Sequence, residues 1–352
     1  MAHRYRAVQW NPQKRRYDAV LAVGVAGYLV LFVGAGFALR PGATIETLLI
    51  RAFGSAALLL LHGILCIGPL ARLDRRFLPL LYNRRHLGVV MAALALVHAA
   101  LATVQFHALG DLAPWTSVLV ANPRFDSVSQ FPFEWLGAAA LAVLLSMAAT
   151  SHDFWLANLT PPVWKSLHMA VYFAYGALVL HVALGTLQSD RSLVLAGLLA
   201  LGFGVVVGLH LVVGVREARA DRGGPEVGDD GWVDVCAVDA IPEKRARIVR
   251  LAGERIAVFR FDGRVAAVSN VCQHQNGPLG EGRILDGCIT CPWHGYQYRP
   301  ETGRSPAPFT DEVPIFRVRV REGRVWLHPR PLPAGTPLEP AWIDRAPERA
   351  HG

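Results

Sequence analysis

The sequence predicts an all-α six-helix transmembrane bundle followed by a small all-β domain. Two observations lead to this fold class. Hydrophobic residues make up 53% of the 352-residue chain and charged residues only 18%, which argues against a disordered chain, a collagen-like chain or an ordinary soluble enzyme. The apolar residues are concentrated in positions 1–215, whereas the remainder is charged and polar. The chain therefore combines a membrane domain with a soluble domain.

The membrane domain is predicted from stretches of about 20 mostly apolar residues, the length needed to cross about 30 Å of hydrocarbon. Within residues 19–215, six such stretches occur, at 19–38, 52–70, 86–106, 133–150, 164–186 and 193–215. Breaks that contain Pro, Gly or charge separate them, such as Arg40-Pro41-Gly42. The first stretch is too long for the apolar core of a secretory signal peptide, so we interpret it as an anchor.

Basic residues are distributed unequally between the two sides that these spans define. One side holds the basic leader, residues 1–18, and the Arg-rich segment 72–85. The other side holds four arginines: Arg40, Arg51, Arg124 and Arg191. Because basic flanks stay on the cytoplasmic side, we expect a multi-pass protein of the bacterial inner membrane with both termini in the cytoplasm. The net charge of +8 reflects this bias and does not indicate a nucleic-acid partner.

Histidines inside the predicted spans are candidate functional residues, because ionisable groups in hydrocarbon are costly. A haem between two helices needs one imidazole from each helix at matching depth. The third and fifth spans run in the same direction, and depth along them pairs His86 with His168 and His98 with His181. These four residues are the candidate ligands of one or two b-type haems. For His86, contact with lipid headgroups is an equal alternative.

The positions of these histidines around the helix axes are less favourable. The two histidines of each span differ by roughly 120–140° around the axis, so a common seam requires a bend. Gly88 and Gly176 lie between the respective pairs. For His62 and His210, we favour a structural or quinone-contact role over haem ligation.

Two segments of the membrane domain carry a family resemblance. The first is Arg84-Arg85-His86-Leu87-Gly88 followed by His98, and the second is Trp164-Lys165-x-Leu167-His168-x-x-x-Tyr172 followed by His181. Over residues 15–215 the chain resembles the ferric reductase-like transmembrane domain. That family includes the haem-binding membrane subunit of the bacterial periplasmic methionine sulfoxide reductase system and, more distantly, the NADPH oxidases. The resemblance implies that His98, His168 and His181 bind haem, whereas His86 stands where the bacterial subunit usually has another residue.

The soluble part is predicted to consist of a polar linker, residues 216–231, an all-β domain, residues 232–329, and a solvated Pro-rich tail, residues 330–352. Short β-rich runs recur in the domain, with Asp262-Gly263 and Glu322-Gly323 as hairpin turns. No helical runs separate the strands, and the chain contains no Gly-rich phosphate-binding motif. We therefore expect no nicotinamide-binding or flavin-binding domain in this chain. We expect a separate reductase to supply its electrons.

Cysteine and histidine alternate in two short loops of the β domain. Cys272-x-His274 is followed, after 16 residues, by Cys291-Pro292-Trp293-His294-Gly295. Two thiolates and two imidazoles are the ligands of a Rieske [2Fe-2S] centre. We therefore predict that Cys272, His274, Cys291 and His294 hold such a cluster. A structural zinc site is the alternative, but zinc sites usually pair cysteine with cysteine and histidine with histidine.

Residues 232–329 resemble Rieske ferredoxins and the Rieske domains of oxygenases. Quinol-oxidising relatives carry an extra cysteine in each loop that forms a disulfide, and Gly277 and Trp293 stand at those places here. The resemblance therefore implies the lower-potential, ferredoxin-like class in a reducing cytoplasm. Cys288 lies three residues before Cys291, and we favour buried packing for it over a Cys-x-x-Cys redox pair.

The two domains together predict a membrane electron-transfer protein without catalytic residues of its own. A cytoplasmic reductase or other donor and the cluster lie at one end of the path, and haem with a quinone or a periplasmic redox partner lies at the other. Neither potential can be read from the sequence, so either direction of flow is possible. Two alternatives remain: a terminal ferric or quinone reductase with its own substrate site, and a haem-free, membrane-anchored Rieske ferredoxin.

Overall fold

Helices occupy the first part of the chain and strands the second. The computed structural model describes residues 12–151, 155, 159, 161–222, 231–251, 253–273, 277–292, 295–307 and 309–343. The chain forms two compact units, one made of residues 10–213 and one that contains residues 214–352.

Long apolar helices build the first unit. In the described residues they are α1 (Pro12–Leu39), α2 (Ile45–Leu73), α3 (Leu78–His107), α4 (Pro114–Val120), α5 (Glu134–Thr150), α6 (Pro161–Met169), α7 (Val171–Leu184), α8 (Thr186–Asp190) and α9 (Leu193–Arg222). The side chain of Thr44 caps α2 by accepting a hydrogen bond from the Thr47 N–H at 3.3 Å. Proline in the first turn starts α3 and α4, where its missing N–H costs nothing.

Within the described residues, five helical segments are long and apolar enough to cross a membrane. They are Arg15–Leu39, Ile45–Leu73, Arg84–His107, Ser166–Gln188 and Leu193–Arg219, and they match five of the six predicted stretches. The fourth stretch corresponds to α5, which has 17 residues, or about 26 Å of helix. The chain is therefore a multi-pass membrane protein, and its six-span count depends on α5.

The contacts of α5 indicate how far this short helix extends along its neighbour. Near its start, a Cβ at Gly137 would lie 2.8 Å from the His181 ring. At its end, Thr150 Oγ1 lies 3.4 Å from His168 Nε2. Both intervals, 137–150 and 168–181, contain 13 steps, so α5 runs antiparallel to this segment for about 20 Å. That length is most of the thickness of a bilayer core.

The fifth predicted span is interrupted between its two histidines, at Ala170. This residue separates α6 from α7, and its N–H donates to Leu167 O at 3.2 Å, three residues back, as in a tightened turn. Gly88 and Gly176, the expected positions of a bend, lie inside the continuous helices α3 and α7. The helix is therefore interrupted at neither glycine.

Small residues allow the helices of the bundle to approach closely. Ala52, Ala140 and Ala174 are 0% exposed, as is typical of helix contacts in membranes. Larger side chains such as Leu61 and Leu144 fill the spaces between α2, α5 and their neighbours. The outward positions are also apolar, so the bundle suits a hydrocarbon solvent on its outside.

Antiparallel strands form the second unit. They are β1 (Val233–Ala237), β2 (Arg245–Leu251), β3 (Glu254–Phe261), β4 (Arg264–Ser269), β5 (Arg283–Leu285), β6 (Cys288–Thr290), β7 (Gln297–Tyr298), β8 (Ile315–Arg321), β9 (Arg324–Leu332) and β10 (Ala341–Trp342). One sheet has the order β1-β9-β8-β4-β3-β2 with β10 beside β4, and the other has the order β5-β6-β7. The predicted β-rich domain is confirmed.

Both predicted hairpin turns are present. Asp262 and Gly263 join β3 to β4 with φ angles of 46° and 72°, and Glu322 and Gly323 join β8 to β9 with φ angles of 51° and 70°. Positive φ at both central residues is the backbone form that matches the twist of two antiparallel strands. Acidic residue plus glycine is the sequence pair that tolerates it best.

The expected linker and tail are partly folded. The helix α9 continues to Arg222, so residues 216–222 of the expected linker are helical. Residues 331 and 332 complete β9, and residues 341 and 342 form β10. In β10, Ala341 pairs with Val265 of β4. Proline at alternate positions of β9 conceals this strand from a propensity argument. Residues 1–11 of the leader, 223–230 of the linker and 344–352 of the tail lie outside the described residues.

Candidate functional site

The two cysteines of the predicted cluster motif lie in loops that share one buried core. Cys272 follows β4 and Cys291 follows β6. Each is 1% exposed, and both belong to the same hydrophobic cluster. Their predicted partners, His274 and His294, lie outside the described residues. The described half of the ligand set is thus in the dry surroundings that an iron–sulfur cluster needs.

Backbone hydrogen bonds close both loops. The Cys272 N–H donates to Gly277 O at 2.9 Å, which returns the chain towards its own start. In the second loop, the Cys291 N–H donates to Tyr296 O at 2.7 Å, and Gly295, with φ of 72°, completes the turn. A side chain in this position would strain the backbone. These hydrogen bonds fix the backbone of Cys272 and Cys291 at the start of each loop.

Two tyrosines flank the cysteine loops, and the sequence argument missed both. Tyr298 Oη lies 3.3 Å from Cys272 Sγ and accepts a hydrogen bond from the Gln273 N–H at 3.0 Å. The neighbouring Tyr296 hydroxyl donates to Asp311. Burial raises the pKa of both tyrosines above the usual range. The Tyr298 hydroxyl therefore keeps its proton and can donate it in a hydrogen bond to the sulfur.

Cys288 behaves as a packing residue, as predicted. It lies on β6, is 6% exposed, and burial raises the pKa of its thiol. A thiol that stays protonated is a poor nucleophile. This position therefore offers a matched control for experiments on Cys291.

In the membrane unit, the structure brings His98 and His181 together. Their ring centres are 6.3 Å apart, and the ring planes are nearly perpendicular, at 89°. His98 Nδ1 lies 2.8 Å from Ile50 O, and His181 Nδ1 lies 2.9 Å from Phe133 O. A carbonyl can only accept, so each Nδ1 carries the proton and each Nε2 keeps its lone pair.

This arrangement fits a metal ion between two imidazoles. Because a metal–imidazole bond is about 2 Å long, two rings on opposite sides of one ion have centres about 6 Å apart. The 6.3 Å between the His98 and His181 rings agrees with that separation. Neutral imidazole is a usual axial ligand of haem iron, and a hydrogen bond from its second nitrogen fixes the ring. The donor set thus suits a bis-histidine haem b.

The same small motif holds each histidine of the pair. Gly54 follows Ile50 by four residues on α2, and Gly137 follows Phe133 by four residues at the start of α5. A Cβ at either glycine would lie 2.8 Å from the histidine ring that binds the preceding carbonyl. Each glycine therefore leaves the space that its histidine needs. A glycine four residues after the accepting carbonyl was the sequence signal that could have identified these contacts.

The other predicted pair is not brought together. The His168 ring stacks on Trp164 with 3.7 Å between ring centres, and its Nε2 faces Thr150. His86 Nδ1 lies 2.6 Å from Asp18 Oδ1. No hydrogen bond or ring contact joins His86 to His168 in the described part of the chain. The structure thus presents one facing pair of histidines.

His62 and His210 each bind a tyrosine of α7. Tyr175 Oη lies 3.0 Å from His62 Nε2, and Tyr172 Oη lies 3.1 Å from His210 Nε2. In both cases Nδ1 lies within hydrogen-bond distance of the carbonyl four residues earlier on the same helix, Leu58 O or Val206 O. The two imidazoles are fully satisfied by protein groups, which agrees with the structural role favoured from the sequence.

An ion cluster braces the helix turn that binds His98. The Asp190 carboxylate accepts hydrogen bonds from Arg40 Nη1 and Arg51 Nη1, each at 2.8 Å. The Arg40 hydrogen bond is the largest cause that lowers the pKa of Asp190, and Arg51 adds to it. Arg51 directly follows Ile50, whose carbonyl orients His98. Sequence reasoning missed this cluster because its members are 139 and 150 residues apart.

Comparison with known proteins identifies the β domain. The sequence model of the Rieske [2Fe-2S] domain matches residues 231–317. The anthranilate 1,2-dioxygenase ferredoxin subunit of Burkholderia cepacia is 34% identical over 96 residues, which cover 27% of this chain and 88% of that protein. The β domain belongs to the Rieske [2Fe-2S] family. This Rieske domain supports a [2Fe-2S] cluster, and Cys272 and Cys291 lie within the matched residues.

The helical unit also matches a known family. The sequence model of the ferric reductase-like transmembrane component covers residues 53–179. The chain therefore joins a ferric reductase-like transmembrane domain to a Rieske domain, as the two resemblances imply. His98 and His168 fall inside the matched region, and His181 lies two residues beyond its end.

Two further similarities each cover about a third of the chain. Cholesterol 7-desaturase nvd of Xenopus laevis is 30% identical over 139 residues, which cover 36% of this chain and 29% of that protein. The chain thus spans less than a third of the length of that relative. A solved complex of reduced oxygenase and oxidized ferredoxin in carbazole 1,9a-dioxygenase is 29% identical, covering 30% of this chain and 98% of that chain, with a TM-score of 0.28.

Replacement of Tyr298 by Phe is expected to lower the midpoint potential of the Rieske cluster. Reduction adds a negative charge, and a hydrogen bond to a ligand sulfur stabilises the reduced form. One hydrogen bond of about 1.4 kcal/mol corresponds to ~60 mV for a one-electron couple. The measurement is a redox titration followed by electron paramagnetic resonance (EPR). Tyr296→Phe is the matched control, because its hydroxyl donates to Asp311. Equal potentials in both variants and the wild type would contradict the assignment.

Proposed function

We propose that this protein relays single electrons between its Rieske cluster and a haem b held between His98 and His181. The observation that carries the proposal is the facing pair of imidazoles, 6.3 Å apart, each oriented by a backbone carbonyl. The Rieske cluster and haem b each accept and release one electron when bound. Membrane electron transfer is thus the function that fits both domains.

The residues of the chain prepare both sites for this task. Carbonyls of Ile50 and Phe133 fix the tautomer and the orientation of the two imidazoles. The surrounding apolar helices exclude water from them. In the β domain, closed loops and the Tyr298 hydroxyl hold the first cysteine ligand in place. Rigid ligands of this kind reduce the rearrangement that accompanies each electron transfer.

The number of haems and the identity of the partners stay predictions. A second haem at His86 and His168 requires both side chains to leave their present contacts with Asp18 and Thr150. Because the chain contains no nucleotide-binding motif, we propose a separate cytoplasmic reductase as the partner of the Rieske domain. A quinone or a periplasmic redox protein is the proposed partner at the membrane side.

The proposed orientation places the N-terminus and the C-terminus of the chain in the cytoplasm. It requires α5 to cross the membrane, which its 20 Å of antiparallel packing beside residues 168–181 supports. The arginines on the opposite side are partly neutralised, since Arg40 and Arg51 both bind Asp190. The basic segment 72–85 then faces the cytoplasm.

Replacement of Gly54 or Gly137 by Ala is expected to weaken haem binding. The new Cβ would lie 2.8 Å from the His98 or His181 ring, so the ring or the helix must move. Overpacking of this size costs about 1–3 kcal/mol, or ~5–150-fold in haem affinity. The measurement is haem b absorbance per protein after purification and titration with haem.

The control variants are Gly88→Ala and Gly176→Ala, on the helices that carry the two histidines. Nothing lies within 4 Å of a Cβ at either position, so both variants should keep the wild-type haem content. Retention of full haem by Gly54→Ala and Gly137→Ala, or equal losses in all four variants, would refute the assigned haem position.

The relay is tested with Cys291→Ser in the full chain, reconstituted in lipid nanodiscs. We expect this variant to lose the cluster EPR signal and to keep its haem. Haem reduction by a soluble flavoprotein reductase should then slow to the rate of direct transfer from donor to haem, as measured by stopped-flow absorbance. Cys288→Ser, in the same sheet, should keep both the cluster and the wild-type rate. The same haem reduction rate with and without the cluster would disprove the relay.

Orientation is tested by labelling with a membrane-impermeant maleimide. Arg76 and Asp111 lie at exposed turns on opposite ends of α3. A cysteine at position 76 should react in inside-out vesicles only, and a cysteine at position 111 in right-side-out vesicles only. The unmodified chain measures labelling of the native cysteines. Reaction of both positions from the same side would reject the topology.

A further inference from the structure

One face of the large β-sheet combines arginine with tryptophan. Along β8, the side chains of Val318 and Val320 pack on the core, whereas Arg317, Arg319 and Arg321 alternate with them and point away from it. The same alternation occurs along β9, where every second residue from position 324 to 330 is outside the core. The Arg–Trp face consists of Trp232, Asp234, Arg317, Arg319, Arg321, Arg324, Trp326, His328 and Arg330.

Strand register joins these residues into one continuous surface. Arg319 on β8 lies opposite Trp326 on β9, and Arg321 lies opposite Arg324. On the next strand, Asp234 of β1 lies opposite Trp326 on the other side. The face therefore spans three adjacent strands. A partner can therefore contact side chains of all three strands at once.

Aromatic and cationic groups are stacked at the centre of the Arg–Trp face. The Arg319 guanidinium carbon lies 4.3 Å from the ring centre of Trp232 and 5.3 Å from that of Trp326. The His328 ring meets the Trp232 ring edge-on, with centres 5.5 Å apart. Stacked guanidinium and indole groups are apolar on their faces and polar at their edges. They suit a boundary between a polar and an apolar medium.

The positive charge of the Rieske domain is concentrated on this face. Residues 231–343 contain 15 Lys and Arg and 12 Asp and Glu. The Arg–Trp face alone carries five arginines and one acidic residue, Asp234, which binds Arg324. The rest of the domain is therefore close to neutral. An anionic partner is attracted to the Arg–Trp face and not to the domain as a whole.

Few residues join this face to the membrane helices. The membrane helix α9 ends at Arg222, and Trp232, ten residues later, already belongs to the Arg–Trp face. Ten residues span at most ~35 Å. The chain therefore enters the Rieske domain at an edge of the Arg–Trp face.

We propose that the Arg–Trp face of the Rieske domain lies on the anionic headgroups of the bilayer that its own helices cross. Arginines near a bilayer surface each contribute about a fivefold increase in binding to anionic lipid, and tryptophan is the residue typical of the headgroup region. An acidic redox protein has the same charge, but it does not account for the two tryptophans or for the attachment point at Trp232. Binding of this face fixes the direction in which the cluster loops point.

The test uses the full chain in oriented multilayers made from proteoliposomes. A domain held on the surface gives cluster EPR signals that change with the angle between the membrane and the magnetic field, and inverted molecules give the same pattern. We expect this angular dependence in membranes that contain phosphatidylglycerol. It should be lost in pure phosphatidylcholine and at 1 M salt, where charges are screened within about 3 Å.

The variant is Arg317→Gln with Arg321→Gln, both exposed. Removal of two charges should weaken the docked state by ~30-fold and abolish the angular dependence. Arg283→Gln with Arg299→Gln, exposed arginines near the smaller sheet, is the matched control and should keep it. Unchanged g-values show that each variant still folds around its cluster. Equal angular dependence in both lipids, or in the Arg317 and Arg321 variant, would overturn the proposal and favour a protein partner for this face.

Discussion

The geometry of the histidine pair depends on two equivalent hydrogen bonds. In each, a histidine Nδ1–H donates to a backbone carbonyl of a neighbouring segment. In hydrocarbon an imidazole must be neutral and must satisfy its one donor. When the donor is used on Ile50 O or Phe133 O, only the lone pair of Nε2 remains, and the ring of the other histidine lies 6.3 Å away. The close helix contacts, the small residues and the ion cluster at Asp190 all maintain this geometry.

The two domains position their candidate ligands by different means. In the Rieske domain, backbone hydrogen bonds close short loops around Cys272 and Cys291, and the candidate cluster ligands form a motif of a few residues. In the bundle, His98 and His181 are each oriented by a carbonyl 48 residues away in the sequence. Local sequence is therefore enough to predict the cluster ligands, whereas the histidine pair requires an argument about depth.

Much of the fold follows from pattern alone. Apolar length predicts the helices, and alternation with acidic-Gly turns predicts the strands on both sides of Asp262 and Glu322. Depth along two parallel spans correctly suggests that His98 and His181 meet. The same argument fails to join His86 to His168, because the His168 ring stacks on Trp164, four residues earlier on its own helix, and its Nε2 faces Thr150.

Other features could not be predicted, because they arise only when distant segments pack. The role of Gly54 and Gly137 depends on a ring supplied by another helix, and Asp190 finds Arg40 and Arg51 only in the folded bundle. The strands β5 to β7 have two or three residues each, too few for any periodicity to emerge. Proline within β9 removes the composition expected of a strand, although its paired residues still form the ladder.

The length of α5 has a consequence for the surrounding lipid. A span of about 26 Å is shorter than the hydrocarbon layer of an average membrane, and a short span draws the polar layers inwards around itself. Where α5 crosses the membrane, as proposed, the bilayer beside this helix is compressed, and acyl chains of moderate length match it best. Membrane thickness thus becomes a physical variable that acts on the helix carrying the Phe133 and Gly137 contacts.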